Sequence, residues 1–293
     1  MPAVPAPDVR HFYHPPTGTL SYVVSDPRTS VAAVIDPVLE FSVVSGRIDT
    51  GPANEIIRCI QSNDLKLEWI LETHAHADHL SAAQVVKSQL GGKVAIGNGI
   101  RAVQRTFGEI FNLKAPFVAD GGQFDRLFED DDSFTVGSID CKVLTTPGHT
   151  SDSVTYVIGD CAFVGDSLFM PDLGTARCDF PGGDAALLYD SIQKLFALPE
   201  QTKLYMCHDY PREGRSLRFE VPIREQKASN AHAKDGTTKA DFVAMRKQRD
   251  ATLSLPVLML PALQINMRAG HLPECEDNGV SYIKIPVSSV DTL

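Results

Sequence analysis

The chain of 293 residues has a formal net charge of −10, with 43% hydrophobic and 22% charged residues, the balance of an ordinary globular protein. That acidity argues against nucleic acid as a partner, because phosphate binding wants basic groups. No apolar run approaches the roughly 20 residues that cross a bilayer. The length allows one large domain or two small ones, with a core that needs no staples. The six cysteines show no short pairing pattern and read as reduced thiols.

The opening MPAVPAPDVRHFYHPP has neither a basic nor an apolar signal region, so a cytoplasmic protein free of membrane is expected. TLSYVVSD and SVAAVIDP flank the turn-like PRTS and predict a hairpin. ANEIIRCIQS places apolar residues at helical spacing, and LEWILET is a short buried strand. His79 to Leu90 reads as a helix stopped by Gly91-Gly92; KVAIG follows as a strand and Gly99 to Ile110 as a helix. FEDDDS is a solvated turn.

From Ser133 the pattern is β through SFTVGS, CKVLTTP, SVTYVIGD and CAFVGDSLF. A helix over 184–197 and the strand KLYMCHD come next. Residues 221–255 read as polar and mostly helical, and the Pro-punctuated LPVLMLPALQINMRAGHLPE as a tail wrapping over the body. Two mixed α/β blocks whose strands end in His or Asp suggest two packed sheets with helices outside.

THAHADHL puts three of the chain's nine histidines beside an aspartate. Imidazole and carboxylate are costly to bury unless paired, so HAHADH predicts a bound cation. His149 in TTPGHTSD, Asp166 in FVGDSLF and His208 in LYMCHDY each follow an apolar run, as a strand delivers a side chain to a sheet rim. Metal ligands need that arrangement of convergent imidazoles and carboxylates on rigid elements. His11, His14, His232 and His271 lack such a context and are expected at the surface.

HAHADH followed by PGHT, GDS and CHD resembles the metallo-β-lactamase superfamily over about residues 15–215. The resemblance implies an α/β (α+β) fold, the αββα sandwich of two mixed sheets flanked by helices, with a metal site at one edge. The chain is expected to be a single domain over 1–293, with 216–293 a helical and extended segment packed on the core. That segment would cover the pocket or form the interface of a homodimer.

All seven donors of a two-metal site are present: His74, His76 and His149, then Asp78, His79 and His208, with Asp166 between. Taken alone they predict a dinuclear hydrolase, for which glyoxalase II is the model. ARCDFPGGDAALLYDSI, however, is similar to the GRTDF-type segment of the persulfide (sulfur) dioxygenases, and ALQINMRAG to that family's ending. The Cys-Gly-(Lys/Arg)-Phe-(Phe/Tyr)-Glu segment expected of glyoxalase II is not seen.

The dioxygenase resemblance implies oxidation of glutathione persulfide by O2 to sulfite and glutathione at one Fe(II) per chain. His74, His149 and Asp166 would hold the iron, leaving three positions open. His76, Asp78, His79 and His208 would orient ligands and substrate. Glutathione carries two carboxylates, which points to Arg177, Arg215, Arg218 and Arg268 as cations, with Tyr210 as a donor. Cys178 stands where the familiar segment has Thr and is expected to be a small packed side chain. Two alternatives remain: a hydroxyacylglutathione hydrolase of the glyoxalase II kind with two metals, and a non-catalytic metal-binding or sensing protein.

Overall fold

The computed structural model describes residues 6–211 and 213–287. In chain order the first half comprises β1 (Asp8–His14), β2 (Thr19–Ser25), β3 (Val31–Ile35), β4 (Val38–Ser42), β5 (Arg47–Asp49) and α1 (Gly51–Ser62). Then come β6 (Lys66–Leu71), β7 (Leu80–Ser81), α2 (Ala83–Leu90), β8 (Lys93–Gly97), α3 (Ile100–Ile110) and β9 (Arg126–Phe128). The second half has β10 (Ser133–Val136), β11 (Ile139–Thr145), β12 (Val154–Ile158), β13 (Cys161–Phe163) and a 3-10 turn (Gly165–Ser167). It continues with α4 (Ala185–Phe196), β14 (Lys203–Tyr205), β15 (Glu220–Pro222), α5 (Ile223–Ser229), α6 (Lys239–Asp250) and α7 (Met259–Asn266).

One six-stranded sheet runs β1-β2-β3-β6-β8-β9, the other β10-β11-β12-β13-β14-β15. Both are mixed. In the first, β1, β2 and β3 pair antiparallel while β3, β6, β8 and β9 pair parallel. In the second, only β13 and β14 pair parallel. A small third sheet, β5-β4-β7, sits beside the first.

Period-two alternation explains the layering. Leu20, Tyr22 and Val24 of β2 face the same core as Ala33 and Ile35 of β3, Trp69 and Leu71 of β6, and Val154, Tyr156 and Ile158 of β12. That core lies between the sheets. The intervening residues Val23, Val34 and Ile70 face outward onto α1, α2, α3 and α7. On the far side, Leu144, Ala162 and Leu204 face α4, α5 and α6. The order is therefore helix, sheet, sheet, helix, as expected. Each fully buried aliphatic side chain in these layers contributes about 1.5–3 kcal/mol.

Local chemistry sets the helix ends. Pro52 occupies the first turn of α1, whose Ala53, Ile56, Ile57 and Ile60 form one buried stripe. Asp184 caps α4 by accepting from Ala186 N and Leu187 N, and Thr238 caps α6 by accepting from Asp241 N.

One expected boundary is corrected. The helix read from His79 begins at Ala83, because Leu80 and Ser81 pair with Leu39 and Val38. Ser81 N also donates to Asn266 Oδ1 at 2.8 Å, and Ser81 Oγ accepts from Ala83 N at 3.0 Å. These partners hold the chain extended where helical spacing alone would wind it. The C-terminal tail is likewise more than a wrap: α7 is buried along most of its length and packs on β7.

Candidate metal centre

Four strands of the two sheets deliver the polar cluster from their C-terminal ends. His74, His76, Asp78 and His79 follow β6; His149 follows β11; Asp166 lies in the 3-10 turn after β13; His208 follows β14. Gly148 has φ +139°, and a Cβ there would lie 2.3 Å from Leu188 N. Only glycine lets the first turn of α4 approach the His149 loop so closely. Asp184 N donates to Gly148 O at 2.8 Å and completes that junction.

His74, His149 and Asp166 offer donor atoms within 4.8 Å of one another, and so do His76, Asp78 and His79. His149 Nε2 lies 3.6 Å from Asp166 Oδ2, and His208 Nε2 lies 3.5 Å from both Asp166 Oδ1 and Asp78 Oδ2. The expected ligand residues are thus brought together, with His208 Nε2 between Asp166 and Asp78. Leu20 N donates to Cys207 O at 2.7 Å and Asp209 N to Gly18 O at 3.0 Å, which ties His208 across the sandwich.

Ring orientation follows from the groups behind each ring. His149 Nδ1–H donates to Arg177 O at 2.7 Å, which turns its Nε2 lone pair to the site. Thr73 Oγ1 donates to Asp36 Oδ2 at 2.9 Å and so accepts from His74 Nδ1 at 3.1 Å, leaving His74 Nε2 for a ligand. Asp36 Oδ1 takes Thr73 N at 2.7 Å and lies 3.1 Å from His76 Nε2. Asp152 Oδ2 accepts from Ala75 N at 2.8 Å. Asn266 Nδ2 donates to the carbonyls of His76 and His79, each at 2.8 Å.

The residues fit a cation. His74 Nε2, His76 Nδ1, His79 Nε2 and Asp166 Oδ1 are buried and have no hydrogen-bond partner among the described residues. An unpartnered buried polar atom costs about 1–3 kcal/mol, a cost that coordination would remove. Burial and the neighbouring imidazoles hold His74 and His76 well below the ordinary histidine range, in the neutral form that binds metal. Burial alone would raise Asp78, but His208, His79 and His76 outweigh it and hold the carboxyl well below its usual range. Burial would lower His208, yet Asp166 and Asp78 raise it. Burial raises Asp166 against the pull of His208 and His149.

A cavity of about 220 Å³ opens over Asp78, His149, Asp166 and His208. Of the residues expected to meet substrate, Arg177 and Tyr210 line it. Arg177 is already committed: Nε and Nη2 each donate to Asp179 at 2.6 Å, and Nη1 donates to Ser254 O at 2.6 Å. Tyr210 stacks on His208 with ring centroids 5.7 Å apart and planes 6° from parallel.

The other three arginines stand outside the cavity, a correction to the expected substrate contacts. Arg215 pairs with Asp209 and Asp172, and Arg218 with Glu225. Buried Arg268 donates to Gln264 O at 2.5 Å and lies over Phe117. Each is claimed by partners that do not line the cavity. Cys178 is buried as expected, with its thiol pushed up to about 12 by burial.

Sequence reading missed Asp36, Asp152 and Asn266, although each lies in a stretch it singled out. VAAVIDP ends a strand in an acid, TTPGHTSD contains Asp152, and ALQINMRAG contains Asn266. It also placed His14 at the surface. His14 is buried, with Nδ1 2.8 Å from Thr17 Oγ1. Thr17 Oγ1 lies 2.7 Å from Thr19 Oγ1, which donates to Asp78 Oδ2 at 3.1 Å.

A sandwich with imidazoles and carboxylates gathered at its strand ends defines a metal-binding protein of the αββα class. Residues 48–208 match the metallo-beta-lactamase superfamily, and the chain belongs to that superfamily. Glyoxylase B2 of Dictyostelium discoideum is 50% identical over 274 residues, covering 93% of this chain and 94% of that one. The mitochondrial persulfide dioxygenase ETHE1 of Homo sapiens is 32% identical over 205 residues, covering 69% and 68% respectively. The crystal structure of ETHE1 from Myxococcus xanthus is similar with a TM-score of 0.72 at 29% identity, covering 90% of this chain and 100% of that one. No helix among the described residues is long and apolar enough to cross a membrane.

Proposed function

We propose that the protein is a glutathione-dependent persulfide dioxygenase that uses one Fe(II) per chain. The observation that carries this reading is the set His74, His149 and Asp166, two imidazoles and one carboxylate within 4.8 Å, the ligand type of non-haem iron oxygenases. The likeness to ETHE1 and the Arg177–Phe180 segment at the cavity wall support it. In the net reaction, one persulfide, one dioxygen and one water give one thiol, one sulfite and two protons.

Bound iron would supply the electron exchange with dioxygen that zinc lacks. The chain's own residues do the rest. Arg177 O and the Thr73–Asp36 pair keep His149 and His74 in the ligating tautomer. His208 Nε2, 3.5 Å from both Asp78 Oδ2 and Asp166 Oδ1, helps orient the two carboxylates. Phe169, Leu173 and Phe180 give the cavity an apolar wall that limits water around the sulfur.

A second reading has its own support. His76, Asp78 and His79 form a second convergent donor set, and the 50% identical relative is named Glyoxylase B2. A dinuclear hydrolase of acylglutathiones would use both sets. Assaying one preparation with glutathione persulfide under oxygen and with D-lactoylglutathione separates the readings. Oxygen-dependent sulfite formation without thioester cleavage is expected, and cleavage without oxygen uptake would overturn the proposal. His149→Ala is expected to abolish sulfite formation.

A further inference from the structure

One side of the metal-site cavity is built by residues beyond the superfamily match at 48–208: Arg246 and Arg249 of α6, with Leu253 and Pro256 just after it. The metal end of that cavity presents Asp78 and Asp166, in a chain of net charge −10. A substrate bearing carboxylates therefore needs a cation away from the metal, and three arginines line the cavity.

Two of them are spent. Arg177 is held by Asp179 and Ser254 O. Arg246 is 1% exposed and pairs with Asp250 while donating to Thr175 O at 2.9 Å. Arg249 alone of the three has a side chain that, among the described residues, makes no hydrogen bond or ion pair, and it is exposed at the wall. Its helix is also rigidly seated. Arg246 and Asp250, which flank it, grip the backbone at Thr175 and Cys178, the latter through Cys178 N to Asp250 Oδ2 at 2.9 Å.

We infer that Arg249 is the residue that recognises a carboxylate of the substrate, so that substrate choice rests partly on the C-terminal segment. The inference builds on the glutathione reading above. A guanidinium with its donors unspent, carried on a helix anchored by Arg246 and Asp250, offers a planar fork that matches a carboxylate. The apolar Leu253 and Pro256 beside it leave the stem of a peptide-like ligand little to hydrogen-bond there, which concentrates recognition on the charge.

The test is calorimetric binding of S-methylglutathione, which keeps both carboxylates but cannot turn over, and of its diethyl ester, which masks both. The iron-loaded full chain is used throughout. Arg249→Ala is expected to weaken S-methylglutathione binding by roughly five- to tenfold, as for one charge-assisted contact at a partly wet rim, with Arg249→Lys intermediate. Ester binding should be equal in wild type and variant. Lys247→Ala, an exposed change on the same helix that faces another cavity, should match wild type. Equal weakening of acid and ester, or weakening of neither, would overturn the role of Arg249 alone. Failure of wild type to bind S-methylglutathione would overturn the glutathione reading, and this inference with it.

Discussion

The Nδ1 atom of His149 lies 2.7 Å from the carbonyl oxygen of Arg177. The next residue, Cys178, donates its backbone N–H to Asp250 at 2.9 Å, and Asp250 pairs with the buried Arg246. A candidate ligand from the middle of the chain is thereby held in place by a helix some hundred residues further on.

Asp250→Ala should therefore do two things. It leaves the Arg246 guanidinium buried and uncompensated, which costs about 3–5 kcal/mol, and it frees the 175–178 backbone behind His149. Urea denaturation should show the lost stability, and metal analysis of the folded variant should show reduced metal content. A variant with wild-type stability and metal content would refute the link.

Asn266 holds the HAHADH loop by three hydrogen bonds, to Ser81 N and the carbonyls of His76 and His79. Asn266→Ala is expected to cost about 2–4 kcal/mol, since the partners are buried, and to weaken metal affinity about 10- to 100-fold. Competition with a chelator of known affinity measures the second effect. Asn266→Asp should be no better, because it removes the donor facing two carbonyls.

Asp26 provides a pH test remote from the metal. Burial would raise its carboxyl, but hydrogen bonds from Ser138 Oγ and N, Arg28 N and Thr29 Oγ1 outweigh that and hold it well below the usual carboxylate range. A depressed folded pKa gives stability that is fully present above the unfolded value of about 3.9 and lost as pH falls toward the folded one. Asp26→Asn should thus be less stable than wild type by a constant margin from pH 7 to about pH 5, and the margin should shrink below about pH 4. Denaturation at several pH values checks it; a margin that grows on acidification would contradict the assignment.

What the sequence made legible was local. Strand-end His149, Asp166 and His208 announced themselves because an apolar run stops at a polar residue, and HAHADH because so many costly groups crowd together. Two α/β blocks whose strands end in His or Asp suggested packed sheets, and the αββα order came with the superfamily resemblance; β2, buried on both faces, shows no apolar-polar alternation that would have given it. What stayed hidden depended on partners far along the chain. The start of α2 was misplaced because β4 and Asn266 compete for Leu80 and Ser81. Arg215 and Arg218 lay near a ligand in sequence, yet Asp209, Asp172 and Glu225 claim them. Arg249 carried no motif at all: it sits on a polar helix whose packing against the cavity only the fold reveals.

The central claim meets its most direct test in one experiment, an oxygen-electrode trace with glutathione persulfide on protein whose metals have been counted. The account predicts one iron per chain and one dioxygen consumed for each persulfide, with Asp166→Ala losing both the iron and the uptake. Protein holding two metals per chain that consumes no oxygen under these conditions would contradict it.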